Sequence, residues 1–382
     1  MLKHLNSLIY ISAILFFTAC GSSSSDGNKD EVSSENQPLV SIASSSADYT
    51  NLNLKQEMVE SWEDAMRTNG KSGSFEWWYA DYTFSDGTTV VVAFYTKMVF
   101  DTYGASLPMV TINIVQPDGT EINNQSFQLP NSKINASKEI ANVHIGSSFI
   151  ENIDGHYELR YKNGGIEFNA TMISTLPMWR KDTGFLYFGE EKQNYFAWLV
   201  AQPSSTVTAS LTVDGVRKSL IGDGYHDHNW GNSAMHENME SWYWGRAKVG
   251  DYTLIFSEIT AHKDFNSTKV PLLFIAKGNE VLEIGGDITV EKREIKRDNQ
   301  TGKDYAHKLI FSYTSKENQT FTIEVNKKRN LAFIDMNQLP FESGDDPTYL
   351  RTFNDITLFV QDANGSVETL SGVGIVEQVR FF

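Results

Sequence analysis

The chain reads as all-β, and three observations carry that reading. Short runs of period two recur along it, turn signals punctuate them, and no alternation of strand with helix separates them. Residues 75–84, Asp86-Gly87 and residues 88–97 read as two strands around a tight turn. The same punctuation returns at Pro117-Asp118-Gly119, Asn163-Gly164-Gly165, Asp214-Gly215 and Ala363-Asn364-Gly365. Between these signals lie strand-like runs at 110–115, 157–161, 206–213, 252–259, 308–313 and 320–325. Regular short strands of this kind argue for antiparallel barrels or sandwiches. The 382 residues are enough for two β-domains, divided near residue 235. Ahead of the first strand, Leu54, Met58, Val59, Trp62, Ala65 and Met66 recur at helical spacing before Asn69-Gly70. They predict one amphipathic helix of about four turns.

Composition narrows the function. Lys and Arg number 32 against 48 Asp and Glu, a net charge of −16, and no basic stripe offers a footprint for phosphates. Nucleic-acid binding is therefore excluded as an expectation. Aromatic residues make up 12% of the chain, enough to line apolar walls. Beyond the N-terminus no apolar run approaches the length of about 20 residues that a spanning helix needs.

The first twenty residues carry Lys3 and His4, an apolar stretch from Leu8 to Phe17, and Phe17-Thr18-Ala19 before Cys20, the only cysteine. This arrangement resembles the lipobox of bacterial lipoproteins. The resemblance implies cleavage after residue 19 and acylation of Cys20 as a lipid anchor. Gly21 in place of Asp favours the outer membrane, facing the periplasm. Residues 20–50, rich in Ser, Asn and Asp, then read as a tether. The expected organisation is a signal at 1–19, the tether, a helix plus first barrel at 51–235, and a second barrel at 236–382.

Three segments hold residues that an ordinary β-core would not select. In Phe75-Glu76-Trp77-Trp78-Tyr79 the adjacent tryptophans must point to opposite faces of a strand, with Glu76 on the face of Trp78. In Gly222 to Gly231, His226, His228 and Trp230 share one face while Tyr225, Asp227 and Asn229 share the other. Two histidines at i and i+2 could hold a metal with Asp223, Asp227 or His236. They could equally belong to a buried polar network between domains or to a substrate-facing site; with no second ligand motif, no metal is assigned. In Ser241 to Arg246, Trp242 and Trp244 share a face with Arg246, whose guanidinium could stack on them. Downstream, Glu258 is an acid within an apolar strand, a proton donor if it faces inward or an edge charge if it does not.

Together with Tyr195-Phe196-Ala197-Trp198 and Pro203, these segments resemble the CrtC/AttH family, which includes carotenoid 1,2-hydratase. The likeness runs from about residue 70 to 260. It implies two tandem lipocalin-like barrels with a hydrophobic ligand site near their junction, and no cofactor. It implies catalytic roles for His228 and Trp230; at the family's downstream Tyr and Asp the nearest residues here are Phe256 or Ser257, and Glu258.

Two functions follow as expectations. The first is a membrane-anchored module that binds an isoprenoid, polyene or acyl ligand, with Glu76, Trp78, Tyr225, His226, Asp227, Trp242, Trp244 and Arg246 around it. The second is a hydratase, isomerase or cyclase without cofactor, in which His228 or Glu258 protonates an alkene and Trp230, with Trp242 or Trp244, stabilises the cation. A blander alternative makes these residues the core of a scaffold that binds only protein.

Overall fold

The computed structural model describes residues 38–282, 284, 287–335 and 347–382. The expected signal peptide, Cys20 and the first part of the tether lie outside them. The last part of the expected tether is structured. Val40–Ile42 pairs antiparallel with Phe185–Phe188, and Ser46–Asn51 forms a short helix. Its Ser and Asp serve as a capping box: the Asp48 amide donates to the Ser45 hydroxyl, and the Ser45 amide donates to the Asp48 carboxylate.

Two curled antiparallel sheets make up the rest, a nearly all-β, lipocalin-like architecture. Across the first sheet the order is Glu121–Phe127, Met109–Val115, Thr89–Tyr95, Phe75–Phe84, Val216–Gly231, Asn194–Val213, Ile166–Ser174, His156–Asn163, Ser148–Ile153, Asn142–Ile145 and Asn135–Ala136. Side chains tie the edge strand Glu121–Phe127 across to His156–Asn163, since Tyr161 donates its hydroxyl to Asn124 at 2.6 Å. The second sheet runs Glu280–Val281, Lys269–Lys277, Tyr252–Ala261, Met239–Val249, Val367–Arg380, Thr348–Gln361, Thr320–Asp335, Asp304–Thr314 and Ile288–Arg297.

The period of two sorts each strand between two environments. Trp78, Ala80, Tyr82, Val92, Phe94 and Phe168 fill the first barrel, and Val249, Leu254, Phe256, Phe311, Ile323 and Leu358 fill the second. The opposite faces meet each other through Tyr79, Trp198, Tyr225, Trp244, Ile255, Phe274 and Val379. Trp77 and Trp78 therefore part as their adjacency requires, Trp78 into the first barrel and Trp77 against the junction. The glycine at 222 is a steric necessity: a Cβ there would overlap the carbonyl oxygen of Thr83 on the paired strand.

The four-turn helix expected over Leu54 to Met66 is absent. The segment is irregular apart from a single 3₁₀ turn at Ser61–Asp64, and Met58 is exposed while Glu63 and Asp64 are buried. Arg180 explains the difference. Its guanidinium bonds the carbonyls of Lys55 and Met58, which a helix would use internally, and ion-pairs Glu63 at 2.7 Å. A cation 117 residues downstream thus outcompetes the local pattern.

Candidate functional site at the junction of the two sheets

Between the outer faces of the sheets lies a cavity of about 540 Å³. This is within the range of small-molecule sites. Trp77, Tyr79 and Tyr95 from the first sheet face Trp242, Trp244, Ile259 and Val379 from the second. Trp198, Asp227, Asn229, Ser257, Tyr349 and Glu377 complete the lining. The three segments singled out above meet here: Tyr79 and Tyr225 each pack against the Trp244 ring, at 5.7 and 5.0 Å between centroids.

Asp227 is the acid on this wall. Its Oδ2 accepts from the Trp198 indole and the Tyr225 hydroxyl, both at 2.8 Å, and its Oδ1 accepts from Asn229 at 2.8 Å. Those donors favour the carboxylate, but burial favours the neutral acid more strongly and pushes the pKa up to about 7. Glu377 is the second buried acid. Tyr79 donates to its Oε1 at 2.7 Å and Tyr349 at 2.5 Å, yet burial again raises its pKa. Beside it, Asp81 accepts a bidentate grip from Arg246 and a longer bond from Tyr79.

Of the sequence-predicted residues, Asp227, Trp242 and Trp244 line the cavity, and Tyr225 lies just behind the wall. Arg246 does not stack on the tryptophans; its partner is Asp81 on the facing sheet, which local spacing could not reveal. Glu76, Trp78, His226 and His228 point the other way, into the first barrel, and all four are fully buried. There Glu76 accepts from the Arg67 and Thr68 amides, the Thr68 hydroxyl and His228, while His228 stacks on Trp78 at 4.5 Å. Asp64 receives Tyr157 at 2.5 Å and lies 3.2 Å from His226 Nε2. Trp230 packs on the same side, against Phe185.

His228 and Trp230 are brought together, their rings 4.7 Å apart between centroids, but Glu258 does not join them as the expectation of one catalytic set required. Glu258 points into the second barrel, where Lys292 reaches it at 2.5 Å. Strand parity is the reason: even residues of Gly222 to Gly231 face the first barrel, and only odd ones face the junction. The third metal ligands considered are equally scattered, with Asp223 pairing Lys248 and Asp227 on the opposite face from the histidines. Reasoning from the sequence missed Glu377 and Tyr349, and named Ser257 only as one of two residues nearest the family's downstream Tyr. The acid Glu377 between Val376 and Gln378 was a signal of the same kind as Glu258.

The barrel network has a pH signature. Burial opposes charge on His226, but Asp64 and the Tyr79 carbonyl outweigh it and raise its pKa. The stability this contributes is present in full below the unfolded value of about 6.5 and is lost as pH rises through the folded value. Chemical denaturation across pH should show that loss in the wild type, and His226→Gln should flatten it. An unchanged pH profile in the variant would deny His226 the role.

Residues 187–308 match the family model described as carotenoid hydratase CrtC. That stretch is CrtC-like. It carries Trp198, Tyr225, Asp227, Trp242, Trp244 and Ser257 of the site. Among curated relatives, the quinolone epoxide rearrangement protein asqO of Emericella nidulans is 26% identical over 203 residues, 49% of this chain and 54% of that one. The hydroxyneurosporene dehydrogenase of Chlorobaculum tepidum is 26% identical over 225 residues, covering 49% and 57%. The chain thus spans about half the length of these relatives. Among solved structures, an AttH protein from Nitrosomonas europaea superposes with a TM-score of 0.62 at 14% identity, covering 85% of this chain and 98% of that one. Kievitone hydratase from Nectria haematococca gives 0.55 at 15% identity, covering 90% and 97%. The CrtC-like stretch and its surroundings share that fold.

Proposed function

We propose that this protein is an acid–base catalyst, acting without a cofactor as a hydratase or isomerase on an apolar, alkene-bearing molecule held between the two sheets. The observation that carries the reading is Asp227, a carboxyl poised near neutral pH on the wall of an aromatic cavity. The carboxyl proton of Asp227 passes to one alkene carbon, leaving a carboxylate and a carbocation. The π faces of Trp77, Trp198 and Trp242 hold that cation. Water then adds to the cation and returns a proton to Asp227, giving an alcohol and restoring the acid. Where water is excluded, Asp227 takes a proton from a neighbouring carbon and the double bond moves. A CrtC-like sequence and the names of its relatives, a hydratase and a rearrangement protein, support this class.

The test is incubation of the protein in D₂O with geraniol, farnesol and geranylgeraniol, followed by mass spectrometry. Addition of D₂O indicates hydration, and deuterium exchange at carbon indicates isomerisation. Retention of an unaltered molecule would leave a carrier, the reading that the apolar walls alone would favour; neither retention nor turnover would sink both.

A further inference from the structure

One row of side chains crosses the second sheet along the cavity wall. Ser257, Trp244, Glu377 and Arg351 are successive register partners on neighbouring strands, so they share one face. The first three line the cavity, and Arg351 is the next residue along the row. Two members of this row carry donors without acceptors. The Trp244 indole N–H is buried and unpaired, and Nε, Nη1 and Nη2 of the wholly buried Arg351 have no hydrogen-bond partner.

A guanidinium out of water with all of its donors idle is among the costlier things a fold can hold, so it calls for an explanation. The carboxylates nearby lend it charge but no hydrogen bond. Asp81 is engaged by Arg246, and Glu377 directs Oε1 to the two tyrosines. Burial raises the pKa of Glu377, against the opposing pull of the two tyrosines and of Arg351.

We infer that the Trp244–Glu377–Arg351 row is a subsite for an anionic oxygen, so that the molecule the cavity takes is apolar along its length and acidic at one end, as a carboxylate, enolate or phenolate is. This rests on the cavity being the ligand site and adds the charge of what enters it. A guanidinium gives such a group charge-assisted hydrogen bonds, and the indole N–H adds a neutral one. An ester or alcohol of the same length would bind the aromatic wall but leave Arg351 unpaired.

The experiment compares cis-parinaric acid with its methyl ester, two fluorescent polyenes that differ only at the head group. The full-length protein should bind the acid about tenfold or more tightly than the ester. Arg351→Met should bring the two affinities together by weakening the acid alone, and Arg351→Lys should restore part of the difference. Should Arg351→Met fail to fold, Trp244→Phe removes the other idle donor and should narrow the same ratio. Equal, measurable binding of both probes by the wild type would overturn the anionic subsite and leave the cavity intact. Binding of neither would overturn the subsite and the ligand site together.

Discussion

Asp227→Asn is expected to lower turnover by about 10²–10⁴-fold, the range that general acid catalysis supplies, while ligand affinity stays within about threefold. The substitution keeps the shape of the side chain and its acceptor oxygen for Trp198 and Tyr225, and removes the proton that would be transferred. The wild-type rate should depend on the protonated acid. It should be full below a pH of about 7 and fall as pH rises through that value. Because the folded-state pKa lies above the ordinary 3.8, the stability linked to Asp227 is present at low pH and lost as pH rises toward 7. The amide cannot ionise, so at alkaline pH the variant should resist urea better than the wild type while turning over less. Steady-state kinetics and urea denaturation across pH check both halves. Unchanged turnover, or loss of affinity in proportion to turnover, would remove Asp227 from the chemistry.

Glu63→Ala is expected to cost about 3–5 kcal/mol of folding stability, because it leaves the Arg180 guanidinium charged and buried without its carboxylate. Both partners of this pair are nearly inaccessible, at 4% and 3% side-chain exposure. The same guanidinium holds the carbonyls of Lys55 and Met58, and the next residue, Asp64, feeds the His226 network. Loss of the pair should therefore loosen the segment 55–68 as a unit. Hydrogen exchange should show the Thr68 amide, which donates to Glu76, losing protection with it. Glu63→Leu combined with Arg180→Met should recover much of the loss, since a matched apolar pair carries no stranded charge. A cost below about 1 kcal/mol for the single change would mean that water reaches Arg180 and that the segment is held by other means.

The barrel network and the junction site share one strand but not one task. His226 and His228 work with Asp64 and Glu76 to close the first barrel beneath its N-terminal segment. Asp227 and Asn229, their immediate neighbours, face the cavity. The two sets still feel each other's charge, since Asp227 helps raise the pKa of His226 and His226 helps lower that of Asp227. The motif that stands out most in the sequence serves stability with its even residues and the candidate chemistry with its odd ones.

What the sequence by itself determined is whatever depends on neighbours in the chain. Period-two runs and positive-φ turn glycines marked the hairpin of Phe75–Phe84 with Thr89–Tyr95, and the opposed faces of Trp77 and Trp78 followed from strand geometry. That three segments were unlike an ordinary β-core was legible too, because their residue types announce themselves locally; that they meet at one site was implied only by the family resemblance. The tertiary structure decided the rest. The helix over Leu54 to Met66 lost its carbonyls to Arg180, and Arg246 went to Asp81, 165 positions away. Which parity of Gly222 to Gly231 would face the junction was settled by the packing of one sheet on the other. The same packing brought Glu377 and Arg351 beside Tyr79, nearly 300 residues upstream. Periodicity states which residues share a face; only burial against a distant partner states what that face meets.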